Sequence, residues 1–332
     1  MRGLESAFLA LALFAPALYG QAVTRADTVP PVAVAETTFR FRSGNLTLEG
    51  TLTVPRAARG RVPLGIIIAG SGPTDRNANS AMGLRCNSYA QLAWRLGEQG
   101  IATLRYDKRG VGGSRGAVGD PTQLTFDMFA TDARAAAEAL RGDPRFSTVA
   151  FLGHSEGAWL ALRAAQVGAP VAGVALLEGA GRPFVVLVRW QLARQFDSVT
   201  LVRYDSAMAR YVRGQDPGDV PPALGILFLP VNRTFVQSVA AFDPLAAIAA
   251  VRRPVLIVQG EADIQVGVED ARLLKQARGD AQLVLLPGMN HVLKLVVGEG
   301  LLAQQPLYAD PTTPIIPDVV TAIAAWMRRV AR

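Results

Sequence analysis

The sequence predicts an α/β protein with a doubly wound, mostly parallel sheet of eight strands and one helical insertion. Short apolar runs recur along the chain, each flanked by Gly or Pro, and stretches with apolar residues at helical spacing separate them. Runs that are apolar on both faces are typical of buried parallel strands, and their alternation with helices is typical of a doubly wound sheet. The alternation of strands and helices is interrupted once, between Leu177 and Pro254, where no strand–helix unit of ordinary length fits.

The first predicted element is a β-hairpin. Residues 39–54 alternate apolar and polar side chains around Ser43-Gly44-Asn45, a pattern typical of two strands joined by a tight turn. The apolar runs after it predict parallel strands at Leu64–Ala69, Ile101–Tyr106, Thr148–Leu152, Gly173–Leu177, Pro254–Val258 and Gln282–Leu286.

Helices are predicted where apolar residues recur at helical spacing. These stretches are Tyr89–Leu96, Phe126–Leu140, Ala158–Val167 and Val319–Met327, the last with Asp318 as its capping residue. Residues 182–213 also look helical, and four prolines follow at 217, 221, 222 and 230. We therefore expect a mostly helical cap at 179–245, inserted into a core formed by 36–178 and 246–332.

The N-terminus has the pattern of a secretory signal peptide. Arg2 precedes an apolar run, Ala7–Leu18, and the small residues Gly20 and Ala22 precede Val23 at the spacing of a cleavage site. The run is too short to span a bilayer. We expect a signal peptide at 1–22, a linker at 23–35, export to the periplasm or beyond, and no stable membrane span after cleavage. An uncleaved anchor is the alternative.

Composition excludes several function classes. The net charge is +7, but only three residues are lysines and the arginines are dispersed, so a nucleic-acid surface is not expected. Cys86 is the single cysteine, which excludes an internal disulfide, a Cys-rich metal site and a CxxC redox pair.

One short motif indicates catalysis. Gly153-His154-Ser155-Glu156-Gly157 joins an apolar run to an Ala/Leu-rich stretch. A turn is the simple interpretation, since Gly and Ser are common there. The alternative is a nucleophile elbow, a strained strand-to-helix turn that exposes a serine hydroxyl.

A serine nucleophile needs a base and an acid that orients the base. The chain has two histidines, and His154 should project away from the Ser155 hydroxyl, which leaves His291 after the last predicted strand. Asp263 also follows a strand, and Glu178 and Glu261 are rival acids at similar positions.

An oxyanion hole needs two backbone N–H donors. The residue after the nucleophile, Glu156, should supply one. The loop after the first parallel strand should supply the other, and Ser71, between Gly70 and Gly72, is the candidate.

Five stretches in this order carry a resemblance to a known family: GSGPTDRNAN, RYDKRGVGGS, GHSEGA, GAGRPF, and QGEADIQV with GMNH. Together they resemble the α/β-hydrolase superfamily over about residues 36–330. Within it they look like a group of bacterial carboxylesterases related to dienelactone hydrolases and acyl-peptide-cleaving serine hydrolases. The resemblance implies the α/β-hydrolase fold, the triad Ser155, Asp263 and His291, and a cap between strands six and seven.

The same resemblance implies that Asp107 and Arg109 form a structural turn at a strand end, and that neither cofactor nor metal is needed. The sequence departs from the family at two positions. Ala69 stands where many relatives carry His, and Glu178 stands where a small or apolar residue is expected.

We expect a serine hydrolase that cleaves carboxylic esters of small to medium acyl groups. A peptidase or amidase with the same triad and a non-catalytic binding protein are the alternatives. The partner is a small-molecule ester. Apolar cap residues should line its pocket, and the candidates are Phe184, Trp190, Leu227, Phe228 and Leu229. Residues 304–317, with four prolines, should form a loop that narrows the entrance.

Overall fold

A computed structural model describes residues 28–298 and 300–332, and the expected signal peptide lies outside them, with the first residues of the expected linker. The strands are β1 (Val34–Ser43), β2 (Leu46–Pro55), β3 (Val62–Ile68), β4 (Ala102–Tyr106), β5 (Phe146–His154), β6 (Val174–Leu177), β7 (Val255–Gly260) and β8 (Gln282–Leu286). The helices are α1 (Ser88–Glu98), α2 (Phe126–Leu140), α3 (Glu156–Gln166), α4 (Phe184–Leu192), α5 (Ser198–Val212), α6 (Arg233–Ala240), α7 (Pro244–Ala250), α8 (Val268–Ala277), α9 (Gly300–Ala309) and α10 (Pro317–Val330).

The strands form one sheet of eight in the order β1-β2-β4-β3-β5-β6-β7-β8. The hairpin β1–β2 is antiparallel and joins β4 antiparallel, whereas β3 to β8 pair in parallel. The predicted doubly wound, mostly parallel, eight-stranded sheet is therefore confirmed. The order in which strands are added to the sheet reverses at β3, which lies between β4 and β5. In α/β proteins, ligands bind at the carboxyl ends of the strands at such a reversal.

Alternate side chains of the central strands enter two separate cores. On β3, Leu64, Ile66 and Ile68 pack into one core, while Ile67 packs into the other. The core with Ile67 also contains apolar side chains of α1 and α10, and the opposite core contains those of α2 and α3. A strand with helices on both faces must be apolar on both faces, which explains the continuous apolar runs in the sequence.

The helical cap lies between β6 and β7. Helices α4, α5 and α6 and irregular turns at Pro222–Phe228 and Pro230–Asn232 form most of it. Two expected boundaries need adjustment. The sheet begins at Val34, inside the expected linker. Residue 245 falls within α7, which packs against α3 and α8 beside the sheet.

The region after His291 differs from the expectation of a Pro-rich loop. Helix α9 covers the first part of the expected loop at 304–317 and contains Pro306. A proline inside a helix is unfavourable, and tertiary contacts hold this helix in place. Gln304 Nε2 donates to the Ala262 carbonyl at 2.6 Å, and the Tyr308 hydroxyl accepts from Gln265 Nε2 at 2.9 Å.

Within residues 28–298 and 300–332, no single helix combines the length and hydropathy of a membrane span. Among these same residues, one bent pair of segments, Pro222–Phe228 and Pro230–Ala240, meets those criteria when the two are taken together.

Candidate active site

Ser155 stands at a sharp turn between β5 and α3. Its backbone is left-handed, with φ 55° and ψ −122°, a conformation that a non-glycine residue adopts only at a cost. Gly153 and Gly157 make the turn possible, because a Cβ on Gly153 would overlap the Gly157 carbonyl and one on Gly157 would overlap the Ile68 carbonyl. This geometry matches the nucleophile-elbow interpretation rather than that of an ordinary turn.

The structure brings His291 and Asp263 together in a buried pair. Asp263 follows β7, His291 follows β8, and His291 Nδ1–H donates to Asp263 Oδ2 at 2.7 Å. The other carboxylate oxygen accepts from the backbone N–H groups of Gln265 and Val266, at 2.6 and 3.0 Å. Burial raises the pKa of Asp263, but the His291 ring and the hydrogen bonds outweigh burial and hold the pKa below its ordinary value. Asp263 is therefore an ionised carboxylate that fixes the orientation of the imidazole.

The two rival acids occupy different surroundings. Glu261 is exposed. Glu178 is completely buried at the end of β6, with φ 52°, and its carboxyl oxygens accept from Gln259 Nε2 at 2.5 Å and Gly260 N–H at 2.9 Å. Burial, and then the neighbouring Asp263 charge, raise the pKa of Glu178 well above its ordinary value. A protonated Glu178 can donate a hydrogen bond to the Asp263 carboxylate.

The second histidine is part of a hydrogen-bond chain behind the elbow. His154 Nε2 lies 2.7 Å from the His291 carbonyl oxygen, so this nitrogen must be the N–H donor. Burial, assisted by His291, lowers the pKa of His154 to about 3, so its Nδ1 is an acceptor, 2.7 Å from the Tyr89 hydroxyl. That hydroxyl in turn accepts from the Gly70 N–H at 3.0 Å. These hydrogen bonds connect the loop after β3 to the backbone of His291.

The two expected oxyanion donors come from two segments, the start of α3 and the loop after β3. Glu156 begins α3, where the first N–H groups of a helix have no partner within the helix and favour negative charge. Ser71 lies in the loop after β3, next to Gly70, and a Cβ on Gly70 would come within 3.2 Å of Ser155 Cβ. Both residues line a cavity with Ser155.

Two cavities meet at Ser155. The larger, under the cap, has an empty volume of about 830 Å³ that includes the open mouth. Its lining consists of Ser71, Ser155, Glu156, Trp159, Ala180, Phe184, Leu187, Val188, Gln191, Leu192, Ala223, Leu224, Ile226, Leu227, Gln265 and Val266. The smaller is about 480 Å³, and its lining consists of Gly70, Ser71, Thr74, Ala78, Leu84, Cys86, Ser88, Tyr89, His154, Ser155, Gln265, His291, Val292 and Tyr308. His291 thus lines the smaller cavity and not the larger one.

Of the five apolar cap residues expected in the pocket, Phe184 and Leu227 line the larger cavity. The other three pack elsewhere. Trp190 lies between the guanidinium groups of Arg182 and Arg194, at 4.0 and 3.5 Å, and Phe228 packs on Tyr204 and Tyr211. The Leu229 carbonyl accepts from the Tyr211 hydroxyl at 2.6 Å.

The turn after β4 makes structural contacts. Asp107 accepts from the Arg76 side chain at 2.6 and 2.9 Å and from the Gly113 N–H at 2.7 Å. Arg109 forms a two-point ion pair with Asp132, at 2.5 and 2.7 Å. Sequence reasoning overlooked Lys108 between them. Its position two residues after β4, in RYDKRG, was the available signal.

The donor atoms of Glu178, Asp263 and His291 lie within 4.8 Å of one another, a spacing that could suit a metal ion. Each of these side chains, however, already takes part in the hydrogen bonds described above.

Comparison with known proteins identifies the family. The family model described as serine aminopeptidase, S33, matches residues 80–295, which is more than half of the chain. The chain belongs to this family, and the protein is an α/β hydrolase. The matched region of the hydrolase contains Ser155, Asp263 and His291 and begins after Ser71. The expected superfamily is thereby confirmed. No curated protein matches the chain.

Solved structures agree on the fold of the hydrolase. Est1E from Butyrivibrio proteoclasticus aligns with a TM-score of 0.57 and 19% identity, over 88% of this chain and 98% of that one. The proline iminopeptidase of Mycobacterium smegmatis aligns with a TM-score of 0.59 and 17% identity, over 89% and 99%. The esterase domain of a Rhodothermus marinus protein aligns with a TM-score of 0.53 and 20% identity, over 90% of this chain and 99% of that one. At these identities the likeness concerns the α/β-hydrolase fold alone.

Proposed function

We propose that the protein is a serine hydrolase that cleaves carboxylic esters of small to medium acyl groups through Ser155, His291 and Asp263. The observation that carries the proposal is the arrangement at the sheet edge. A strained Ser155 shares a cavity with His291, whose Nδ1 is bound to a buried carboxylate. This is the combination of nucleophile, base and orienting acid that acyl transfer requires.

In the proposed reaction, Ser155 Oγ attacks the ester carbonyl carbon while His291 Nε2 accepts the hydroxyl proton. Asp263 keeps the Nδ1 proton of His291 in place and stabilises the imidazolium that forms. The negative charge on the former carbonyl oxygen lies against the N–H groups of Ser71 and Glu156. The tetrahedral intermediate then collapses, His291 returns its proton to the leaving alcohol, and an acyl-enzyme remains.

Water completes the cycle by the same steps in reverse. His291 takes a proton from water, the hydroxide oxygen attacks the acyl carbon, and the carboxylic acid leaves as Ser155 recovers its proton. Since the leaving alcohol must lie beside the imidazole, the smaller cavity that contains His291 holds the alcohol. The larger apolar cavity under the cap then holds the acyl group.

The charges at the site favour an ester over a free amino terminus. In the part of the chain that the structure describes, Glu156 is the one lining residue of the acyl cavity with a charged side chain. Its carboxylate lies 3.9 Å from Lys108 Nζ and is already neutralised. An aminopeptidase needs a carboxylate that can bind the substrate ammonium. The remaining lining suits an acyl or aryl group, which binds by burial of apolar surface.

A peptidase is the second candidate, because the matched family model is described as serine aminopeptidase. The test is kcat/KM for p-nitrophenyl esters of increasing chain length beside aminoacyl p-nitroanilides, with Ser155→Ala as the blank. We expect the best ester to exceed every anilide. Anilides that match or exceed it would replace the esterase proposal with the peptidase one.

A further inference from the structure

A buried lysine lies behind the proposed oxyanion hole, and none of the reaction steps above uses it. Lys108 is 5% exposed, and its Nζ donates a hydrogen bond to the Gly70 carbonyl oxygen. The same Nζ lies 3.9 Å from Glu156 Oε1 and 6.0 Å from the centre of the Phe129 ring. Lys108 therefore touches both segments that carry the expected oxyanion donors.

The geometry of a peptide bond links this contact to the oxyanion. The Gly70 carbonyl and the Ser71 N–H belong to one planar unit, and the described residues contain no cis peptide bond. In a trans peptide the two groups point in opposite directions, so whatever holds the Gly70 oxygen also sets the direction of the Ser71 N–H. The Gly70 N–H is held as well, by the Tyr89 hydroxyl at 3.0 Å.

Resting on the proposed function, we propose that Lys108 is a positioning residue of the oxyanion hole. It anchors the Gly70 carbonyl so that the Ser71 N–H is presented to the developing oxyanion. A cation at the carbonyl end of this peptide also polarises it and strengthens the donor at its other end. Lys108 does not touch the substrate and acts through Gly70 and Ser71.

A buried ammonium needs compensation, and the surroundings supply it. Burial lowers the pKa of Lys108, while the Glu156 carboxylate opposes that shift. Burial likewise raises the pKa of Glu156, and Lys108 opposes it. The pair suggests a second role for Lys108, in which it only neutralises Glu156. A double-mutant cycle separates the two roles.

The experiment compares Lys108→Met, Glu156→Gln and the double variant with the wild-type chain. Active sites are counted by labelling to completion with a fluorophosphonate. The readouts are kcat and KM for a p-nitrophenyl ester and the inhibition constant of a trifluoromethyl ketone, which mimics the tetrahedral intermediate. Loss of an oxyanion-hole donor costs ~10²–10³ in kcat, so loss of its support should cost about 10- to 100-fold. We expect Lys108→Met to lower kcat and ketone affinity together, with KM little changed.

The cycle gives the decisive comparison. If Lys108 holds the Gly70 peptide, its replacement by Met lowers kcat by the same factor in both backgrounds. The loss from Glu156→Gln to the double variant then equals the loss from wild type to Lys108→Met. Recovery of kcat in the double variant would overturn the proposal, because neutralisation of Glu156 would then be the only role. The double variant leaves no unpaired charge behind, so it also covers the case in which Lys108→Met fails to fold.

Lys294→Met is the matched control. Lys294 is also buried and also donates to backbone carbonyls, those of Leu307 at 3.3 Å and Asp310 at 2.5 Å, away from Gly70. The Lys294→Met substitution should lower the melting temperature without changing the ratio of the ketone inhibition constant to KM. If Lys108→Met behaves in the same way, Lys108 is merely structural. If the wild-type chain shows no ester hydrolysis that depends on Ser155, the proposed function itself has failed.

Discussion

At the scale of single residues, the proposed chemistry depends on a serine in an unfavourable backbone conformation that shares a cavity with a buried imidazole–carboxylate pair. The positive φ of Ser155 is energetically unfavourable. The neighbouring glycines leave room for this turn, which exposes the Ser155 hydroxyl at the start of α3. Backbone N–H groups hold the Asp263 carboxylate, which in turn binds the His291 ring.

Replacement of either reacting side chain should abolish turnover. We expect Ser155→Ala and His291→Ala to lower kcat by ~10⁶, because the nucleophile and its base act as one unit. Circular dichroism and the melting temperature should show an intact fold. Activity within about tenfold of the wild-type value in either variant would remove that residue from the mechanism.

The two buried acids should differ in their effect on activity. Asp263→Asn should lower kcat by ~10⁴, since the amide favours the wrong tautomer of His291 and removes its counter-charge. Glu178→Gln should be far milder, because an amide can make the hydrogen bonds of a protonated carboxyl group. The opposite ranking of kcat would move the orienting acid to the end of β6.

Glu178 should also affect how stability depends on pH. Its folded-state pKa is raised, so unfolding releases a proton as the pH rises above the ordinary pKa of a glutamate, and stability falls until the folded-state pKa is reached. Glu178→Gln lacks this titration. Melting temperatures measured from pH 5 upward should show an advantage for the variant that grows with pH, and a constant difference would contradict the raised pKa.

The residues at the site were predictable to different degrees. Ser155, His291 and Asp263 follow strands, and the sequence shows their order. The role of Glu178 was not predictable, because a raised pKa depends on burial and on a neighbour 85 positions away in the chain. Lys108 was overlooked for a similar reason, since only the folded chain brings it to Gly70.

At the scale of elements, the cap and helix α9 enclose the sheet edge. The cap lines the larger cavity, and α9 contributes Tyr308 to the lining of the smaller cavity, which also includes His291. The sequence predicted the helical character of the cap. It did not predict α9, because four prolines in 14 residues indicate a loop, whereas contacts of Gln304 and Tyr308 with distant segments stabilise a helix there.

A bulkier side chain in the cap should shorten the acyl groups that the protein accepts. Leu227→Trp places a larger ring in the acyl cavity, so kcat/KM for a hexanoate ester should fall about tenfold relative to that for the acetate. Leu229→Trp is the matched control, because Leu229 lies two positions away and outside the lining. An unchanged ratio in Leu227→Trp would place the acyl group outside the cap cavity.

At the scale of the whole molecule, the topology places the proposed catalytic groups together. Ser155, Asp263 and His291 follow β5, β7 and β8, so all three lie at the carboxyl edge of one parallel sheet. The apolar runs sufficed to predict this sheet because its central strands are buried on both faces. The exact ends of the cap were not predictable, because α7 is as apolar as the core against which it packs.

Export is a prediction about the chain outside the described residues. We expect a bacterium that expresses the full sequence to release a mature protein that begins near Val23 and is found outside the cytoplasm. N-terminal sequencing of the purified protein, with cell fractionation, is the measurement. An intact Met1 in a soluble cytoplasmic fraction would contradict the signal peptide.

The central claim is that Ser155 is an activated nucleophile. The most direct measurement is incubation of the folded protein with a fluorophosphonate, followed by intact mass and peptide mapping. The account predicts one label per chain, on the peptide that contains Ser155, and none in Ser155→Ala. A folded protein that hydrolyses p-nitrophenyl esters but takes no label, or takes it equally in Ser155→Ala, would contradict the account.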